Sequence, residues 1–401
     1  MSQWSVLPVE LLEAIDELVI LYADKVRLRS VSVPWHSPLS KMPHQKLHRS
    51  PCLLLPYDHE NATSCSLFDP LDKKFYQLDK LPKPPQGGKL FKGSFHGWLV
   101  TAEDNSPSVG LINPLTGAQL KLPPRSSFPD VVKYRSNKPD HEYAIRAAYD
   151  KTEYYTLSST HVRNFFTYKI VMLGSPNTSD DYLAVAIYGE FDRLAYCRKG
   201  YKKWVHLAGD RKPYVDVTFF RGQLYALACN AELLICEVGK CGAPMVTEIK
   251  NPACSPRSIG CKLYLVEHSC GLLMVERVLA PCCMGELSRT LGFVVRKFDD
   301  SYSSCVEVKD LGGDALFLGL NLSSYISPGD HFPECRRNCI YFTDDNMDFS
   351  YLDGVLEAGR GFDMGIYNLD DGEIERFPVP SYPCVGKHVF WPQPIWVVPK
   401  P

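Results

Sequence analysis

Two short strand-turn-strand signatures keep returning along this chain, and their recurrence over more than 300 residues limits the fold more than any other feature. The first is "LFDPLDKKFYQLDKLP" from Leu67, "LINPLTGAQLKLP" from Leu111 and "GIYNLDDGEIERFP" from Gly365, each a strand, a tight turn, a strand and a terminating Pro. The second puts a turn residue ahead of an apolar strand: "FHGWLVTA" from Phe95, "FRGQLYALA" from Phe220, "SCGLLMVER" from Ser269 and "RRNCIYFTD" from Arg336. One hairpin-rich unit repeating every ~45–65 residues approaches the length of a propeller blade. The stretch from Tyr182 reads as three strands with a basic turn at Gly200, and the tail offers Val389–Trp391 and Ile395–Val398 as late strands that complete the first or last blade. The expected fold is therefore mainly β, a β-propeller-like domain of about six or seven blades. A pair of β-sandwiches is the competing architecture, disfavoured because the turn signatures continue for so long.

The beginning is different. In "LPVELLEAIDELVILYADKVRLRSVSVPWHS", residues 7–37, Leu11, Leu12, Ile15, Leu18, Val19 and Tyr22 recur at intervals of three and four, with acidic residues mainly between them. Leu7-Pro8 starts this helix, Asp24 caps a second through Val26 and Leu28, and Ser32 caps a third that tolerates Pro34 only in its first turn. Three helices in so few residues bury little surface alone. They serve either as a cap on the following domain or as a docking module for another protein. The Pro-containing basic segment "KMPHQKLHRSP" separates the two patterns, dividing the chain into a helical module at 1–40, a linker at 41–50 and a β domain at 51–401.

Charge and cysteine usage bound the function. The 44 basic and 46 acidic residues of this 401-residue chain leave a net charge of -2, which supplies no electrostatic reason to expect nucleic acid or an anionic membrane as partner. No apolar run is long enough to span a bilayer as a helix, and Glu10, Glu13, Asp16 and Glu17 occupy the place where a signal peptide is basic and then apolar. A cytoplasmic or nuclear location is expected, and with it mostly free thiols among the 15 cysteines. Cys236, Cys261 and Cys339 sit in apolar strand-like stretches, where a thiol packs as a small hydrophobe.

Catalytic signatures are few. GxSxG, Walker A, HExxH and CxxC patterns are absent. His331, Cys335 and Cys339, with Cys384 and His388, have spacings that do not match a usual zinc site. Asp370-Asp371-Gly372 reads as a hairpin turn rather than a calcium loop, and Gly359-Arg360-Gly361 as a turn before a strand. Cys282-Cys283 has no base that can be placed beside it. The segment "YCRKGYKKW" at 196–204 reads as a solvated blade edge; an acidic or phosphorylated partner is the functional alternative. No catalytic residue, metal or cofactor is expected.

Trp4, Leu7-Pro8, Glu10-Leu11-Leu12, Ile15, Asp24, the run Val26 to Ser32 and Trp35 together resemble an F-box. That family docks onto the Skp adaptor of cullin-RING ubiquitin ligases. The resemblance assigns adaptor contact to Leu7, Pro8, Leu11, Leu12, Ile15, Val26, Val31 and Trp35. Ser32-Val33-Pro34-Trp35-His36 departs from the family's usual small and basic residues around the Trp, and Pro34 shortens the last helix. Beyond residue 50 the chain resembles the KIB-type domain of plant F-box proteins, a kelch-like propeller. Leu111-Ile112-Asn113-Pro114 with Gly117 and Leu122-Pro123, Phe220 to Tyr225, Gly365 to Pro378 and Pro394-Ile395-Trp396 carry that likeness. Together they imply a non-catalytic substrate receptor that joins a Skp adaptor, and through it a cullin, to an unidentified target protein. Its rivals are a propeller scaffold with a degenerate F-box and a propeller enzyme.

Overall fold

The computed structural model describes residues 7–18, 28, 31, 33–36, 51–55, 65–70, 74–78, 89–103, 106–114, 117–147, 152–174, 181–207, 212–238, 245–248, 261–280, 289–302, 304–328, 335–345, 363–377 and 394–397. Among them six sheets form a closed ring, and a seventh lies outside it. Blade 1 combines β1 (Cys52–Leu55), β2 (Cys65–Asp69) and β3 (Lys74–Leu78) with the last strand, β28 (Ile395–Val397), which pairs antiparallel with β1. The two ends of the β domain are thus stitched into one sheet. Blade 2 holds β4 (Lys89–Phe95), β5 (Trp98–Glu103), β6 (Val109–Ile112) and β7 (Gln119–Leu122). Blade 3 holds β11 (Thr167–Leu173), β12 (Leu183–Tyr188), β13 (Arg193–Arg198) and β14 (Val205–His206); blade 4 holds β15 (Tyr214–Phe220), β16 (Gln223–Ala228), β17 (Leu233–Glu237) and β18 (Met245–Glu248). Blade 5 holds β19 (Lys262–His268), β20 (Gly271–Leu279), β21 (Thr290–Phe298) and β22 (Cys305–Val308).

The ring closes through its innermost strands. β28 packs on β4, β4 on β11, β11 on β15 and β15 on β19, and Leu53 and Trp396 of blade 1 share a core with Ala315, Phe317 and Tyr341 of blade 6. The signatures now have places. The first is the outer hairpin of a blade (β2–β3, β6–β7), the second the inner hairpin (β4–β5, β15–β16, β19–β20). Val389–Trp391 lies outside the described residues.

Blade 6 is irregular. It contains β23 (Ala315–Leu318), β24 (Ser324–Ile326), β25 (Cys339–Phe342), β26 (Gly365–Asn368) and β27 (Ile374–Arg376), and β23 runs parallel to β25. The Arg336 stretch therefore introduces a strand but no hairpin. Between β23 and β24 the chain crosses the axis: Leu322 N–H donates to the Ser94 carbonyl of β4, and Leu322 packs against the cores of blades 2, 3 and 4. A side chain at Gly93 would begin 2.8 Å from the Ile170 carbonyl and 3.3 Å from that of Leu320, so only glycine lets β4, β11 and the crossing segment meet this closely.

The seventh sheet, β8 (Val131–Tyr134), β9 (Tyr143–Arg146) and β10 (Tyr154–Leu157), enters the chain between blades 2 and 3. Its inner face carries Tyr143 and Ile145 into the core of those blades. Phe128, just ahead of β8, stacks on Tyr188 and Trp204 at centroid distances of 4.6 and 5.0 Å, and the Trp204 indole donates to the Pro123 carbonyl. Aromatic stacking and a satisfied indole fix the insert against blade 3.

Two helices precede the ring among the described residues: α1 (Val9–Leu18) and α2 (Val33–His36). Pro8 stands immediately before α1, its carbonyl accepting from the Leu11 and Leu12 amides, and Pro34 lies in the first turn of α2. The helix expected from Asp24 lies outside the described residues except for Leu28. Among the described residues one cysteine departs from the expectation of free thiols, since Cys305 at the head of β22 is disulfide-bonded. Pairing depends on which Cβ atoms the fold brings together, and sequence spacing does not show that.

Candidate docking surfaces and the polar axis

The helical module builds a small core of its own. Leu12, 2% exposed, packs with Trp35, 8% exposed, and partly buried Leu7 and Leu28 complete the cluster. The adaptor residues expected from the sequence are split by this arrangement. Leu12 and Trp35 face inward, Leu7 and Ile15 are half-buried, and Pro8 is exposed. Leu11 and Val31 stand 52% and 62% exposed, and Val9 at the start of α1, which the sequence reading did not single out, is exposed too. Val26 lies outside the described residues. The intervals of three and four residues locate the helix but not which apolar residues the module keeps for itself, because its faces are defined by α2 and Leu28.

Sequence reasoning missed the densest polar region. Lys169 of β11 and Asp216 of β15, both buried, form an ion pair at 2.6 Å, and Asp216 also accepts from the Val217 and Leu265 amides. Burial pushes the Asp216 carboxyl above its ordinary range, against the pull of Lys169. On the neighbouring blade Lys262 lies 3.0 Å from Asp345 and 5.9 Å from the centre of the Tyr168 ring. Arg277 of β20 then ties blade 5 to blade 6. It donates to Asp345 at 3.1 Å, Asp363 at 3.0 Å, the Thr343 carbonyl at 2.8 Å and Thr290 at 2.8 Å. Burial alone would raise the Asp345 carboxyl, but Lys262 and Arg277 bring it below the usual carboxylate range. Asp363 is held low in the same sense by Thr290, Arg277 and Arg376. Each of these charges has a partner on another segment of the chain, so this network fixes blade junctions.

Two other places carry polar or metal-ligating side chains. The segment 196–204 divides: Tyr196, Cys197 and Trp204 are buried, Arg198 pairs with Asp181 at 2.8 Å, and Tyr201, Lys202 and Lys203 are exposed at the turn. Beside it a cleft of about 430 Å³ opens between blades 3 and 4, with Leu183, Phe219 and Leu224 along its wall and Asp181, Arg198, Gln223 and Glu237 at its polar side. Of the metal set considered from the sequence, Cys335 and Cys339 are buried thiols, while His331, Cys384 and His388 lie outside the described residues. Among the described residues no group of three or more His, Cys, Asp or Glu side chains is placed to hold a metal. Asp370, Asp371 and Gly372 form the β26–β27 turn, with Gly372 at a φ of 78° and Asn368 bonded to Asp371. Cys282-Cys283 and Gly359-Arg360-Gly361 lie outside the described residues.

The family assignment rests on this ring together with sequence similarity. Relatives of similar length share the whole chain: the Arabidopsis thaliana F-box protein SKIP23 is 26% identical over 99% of this chain and 96% of its own, and the Arabidopsis thaliana F-box protein At4g35733 is 25% identical over 94% and 95%. The profile described as KIB1-4 beta-propeller matches residues 67–368, from within β2 to the end of β26. With three quarters of its length inside that match and a six-sheet ring of the same kind, this chain belongs to the KIB1-4 β-propeller family.

Proposed function

We propose that the chain is the substrate-recognition subunit of a Skp–cullin–F-box ubiquitin ligase, in which the helical module holds the adaptor and the propeller holds a target protein. The observation that carries this reading is the module itself. Among the described residues a core of four side chains leaves Val9, Leu11 and Val31 exposed in so small a unit, as expected of a surface that another protein covers. Similarity to F-box proteins over nearly the full length supports it. The chain then works by proximity, bringing a bound target to a ubiquitin-charged partner enzyme, and contributes no catalytic group of its own. The crossing of the axis by residues 319–323 favours this over a propeller enzyme, whose substrate would need that space.

Co-expression with a plant Skp-type adaptor, followed by affinity purification, tests the proposal. The wild-type chain retains the adaptor; a Leu11→Asp/Val31→Asp variant, which places charge on exposed positions and spares Leu12 and Trp35, loses it while remaining folded. A folded wild-type chain that does not retain the adaptor overturns the reading and leaves a propeller scaffold.

A further inference from the structure

Three side chains from two blades converge at the β19–β20 turn. Cys270 Sγ lies 3.0 Å from His268 Nδ1, and the Cys270 backbone N–H donates to the same nitrogen at 3.2 Å. A ring nitrogen that accepts an N–H carries no proton, so the neutral imidazole bears its proton on Nε2. That nitrogen stands 3.0 Å from the carboxylate of Asp314, immediately before β23 of the next blade, as an electrostatic contact rather than an aligned hydrogen bond. Burial lowers the His268 pKa in spite of Asp314, keeping the ring neutral with its Nδ1 lone pair facing the thiol. The Tyr325 ring lies 4.5 Å away, and Lys297 runs alongside, its stem 3.1 Å from where a side chain on Gly271 would begin. A thiol beside a neutral base is an environment in which cysteine reacts.

Five of the other described thiols provide the contrast. Burial pushes Cys197 and Cys236 up to about 12 and Cys335 and Cys339 up to about 11. Cys229 is exposed like Cys270, and among the described residues no histidine contact of the kind His268 makes is found at it. We propose that Cys270 is a modification site for small soft electrophiles, with His268 as the base that takes its proton and Asp314 as the residue that positions His268. With an alkyl halide the new carbon–sulfur bond forms as the carbon–halogen bond breaks. The halide leaves with the bonding pair, and the thiol proton passes to His268 Nδ1 and then to solvent.

The test treats the full-length chain with limiting iodoacetamide at neutral pH and follows each cysteine-containing peptide by mass spectrometry. Cys270 is expected to alkylate about tenfold or more faster than Cys229. His268→Gln brings Cys270 down to the Cys229 rate and leaves Cys229 unchanged. Asp314→Asn shifts the pH profile of Cys270 alkylation without moving that of Cys229, which a merely structural role would not do. Should His268→Gln fail to fold, the wild-type ratio decides alone. A folded wild type with Cys270 within about threefold of Cys229 overturns the proposal, and so does a folded His268→Gln variant with the ratio intact.

Discussion

The helical module and the blade 5–blade 6 junction solve opposite problems. The module has four described side chains in its core and leaves apolar residues in solvent. The junction buries Arg277, Asp345 and Asp363 among the cores of two blades and matches every charge to a partner. A surface waiting for a partner must remain apolar and thinly supported. A surface that has found its partner within the chain can carry charge, provided each ion is compensated. Stability should therefore depend on single residues far more steeply at the junction than on the exposed face of α1.

The strongest test of that contrast is Arg277→Met. Removing the guanidinium leaves Asp345 with Lys262 and half-buried Asp363 with Arg376 as their remaining counter-charges, and breaking a buried pair costs about 3–5 kcal/mol. A large fall in the denaturant midpoint is expected, and a change within error would mean that the junction does not hold the blades together. Because Asp345 and Asp363 are held below their unfolded values, their contribution is present above the usual carboxylate range and is lost as pH falls through the folded values. The wild type should consequently lose stability on strong acidification, and Arg277→Met should lose less over the same range.

Leu12→Ala comes next. Truncating a buried leucine costs about 2–5 kcal/mol, which is large for a cluster of four. Hydrogen exchange should show the amides of α1 losing protection while those of β12 and β20 keep theirs. Loss of protection throughout the ring would show that module and propeller fold as one unit, and the contrast between them would fail.

How much of this was legible beforehand follows from the range of the interactions. Hairpins were readable because turn and strands lie within about fifteen residues, as in Leu111 to Pro123 with its Gly117 turn. The closure of blade 1 was half readable, since Ile395 to Val398 was expected to complete the first or the last blade, and pairing of β28 with β1 puts it in the first. Blade 6 defeated the pattern because β23 and β25 pair in parallel through a crossing that the turn residues do not signal. The inserted sheet was not foreseen, for its strands are only four residues long and Val132 and Tyr154 on them are exposed, which blurs the apolar pattern. The axis could not be read at all: Lys169 meets Asp216 across 47 residues and Arg277 meets Asp345 across 68, and neither pair carries a local signature. In the module the apolar periodicity located α1 yet gave Leu11 and Leu12 the same role, although one faces solvent and the other Trp35.

A third test exploits a buried cation with less support than Arg277. Lys92 of β4 donates to the Asn164 carbonyl at 2.5 Å, and burial together with Arg125 and Arg163 brings its pKa down to about 7. A base whose folded value is depressed binds its proton more readily in the unfolded chain, so stability is lost as pH falls from the unfolded lysine value near 10.4 towards 7. Lys92→Met removes that penalty and should stabilise the protein by about 1–2 kcal/mol at pH 7. The advantage should shrink as pH rises towards 10. A variant less stable than wild type at pH 7 would show that Lys92 is compensated as fully as Arg277.

The smallest expected effect on folding is also the most informative about the exposed side of the comparison. Leu11 makes no part of the module's core, so Leu11→Asp should change the thermal midpoint by no more than about 0.5 kcal/mol equivalent, the usual range for surface substitutions. Near the N-terminus of α1 the new carboxylate also meets the positive end of the helix dipole, which offsets part of any lost helix propensity. A variant that folds like wild type but no longer retains the adaptor assigns Leu11 to binding alone. If instead its midpoint falls by as much as that of Leu12→Ala, Leu11 is covered by the chain itself, and the apolar face of α1 is a cap rather than a docking surface.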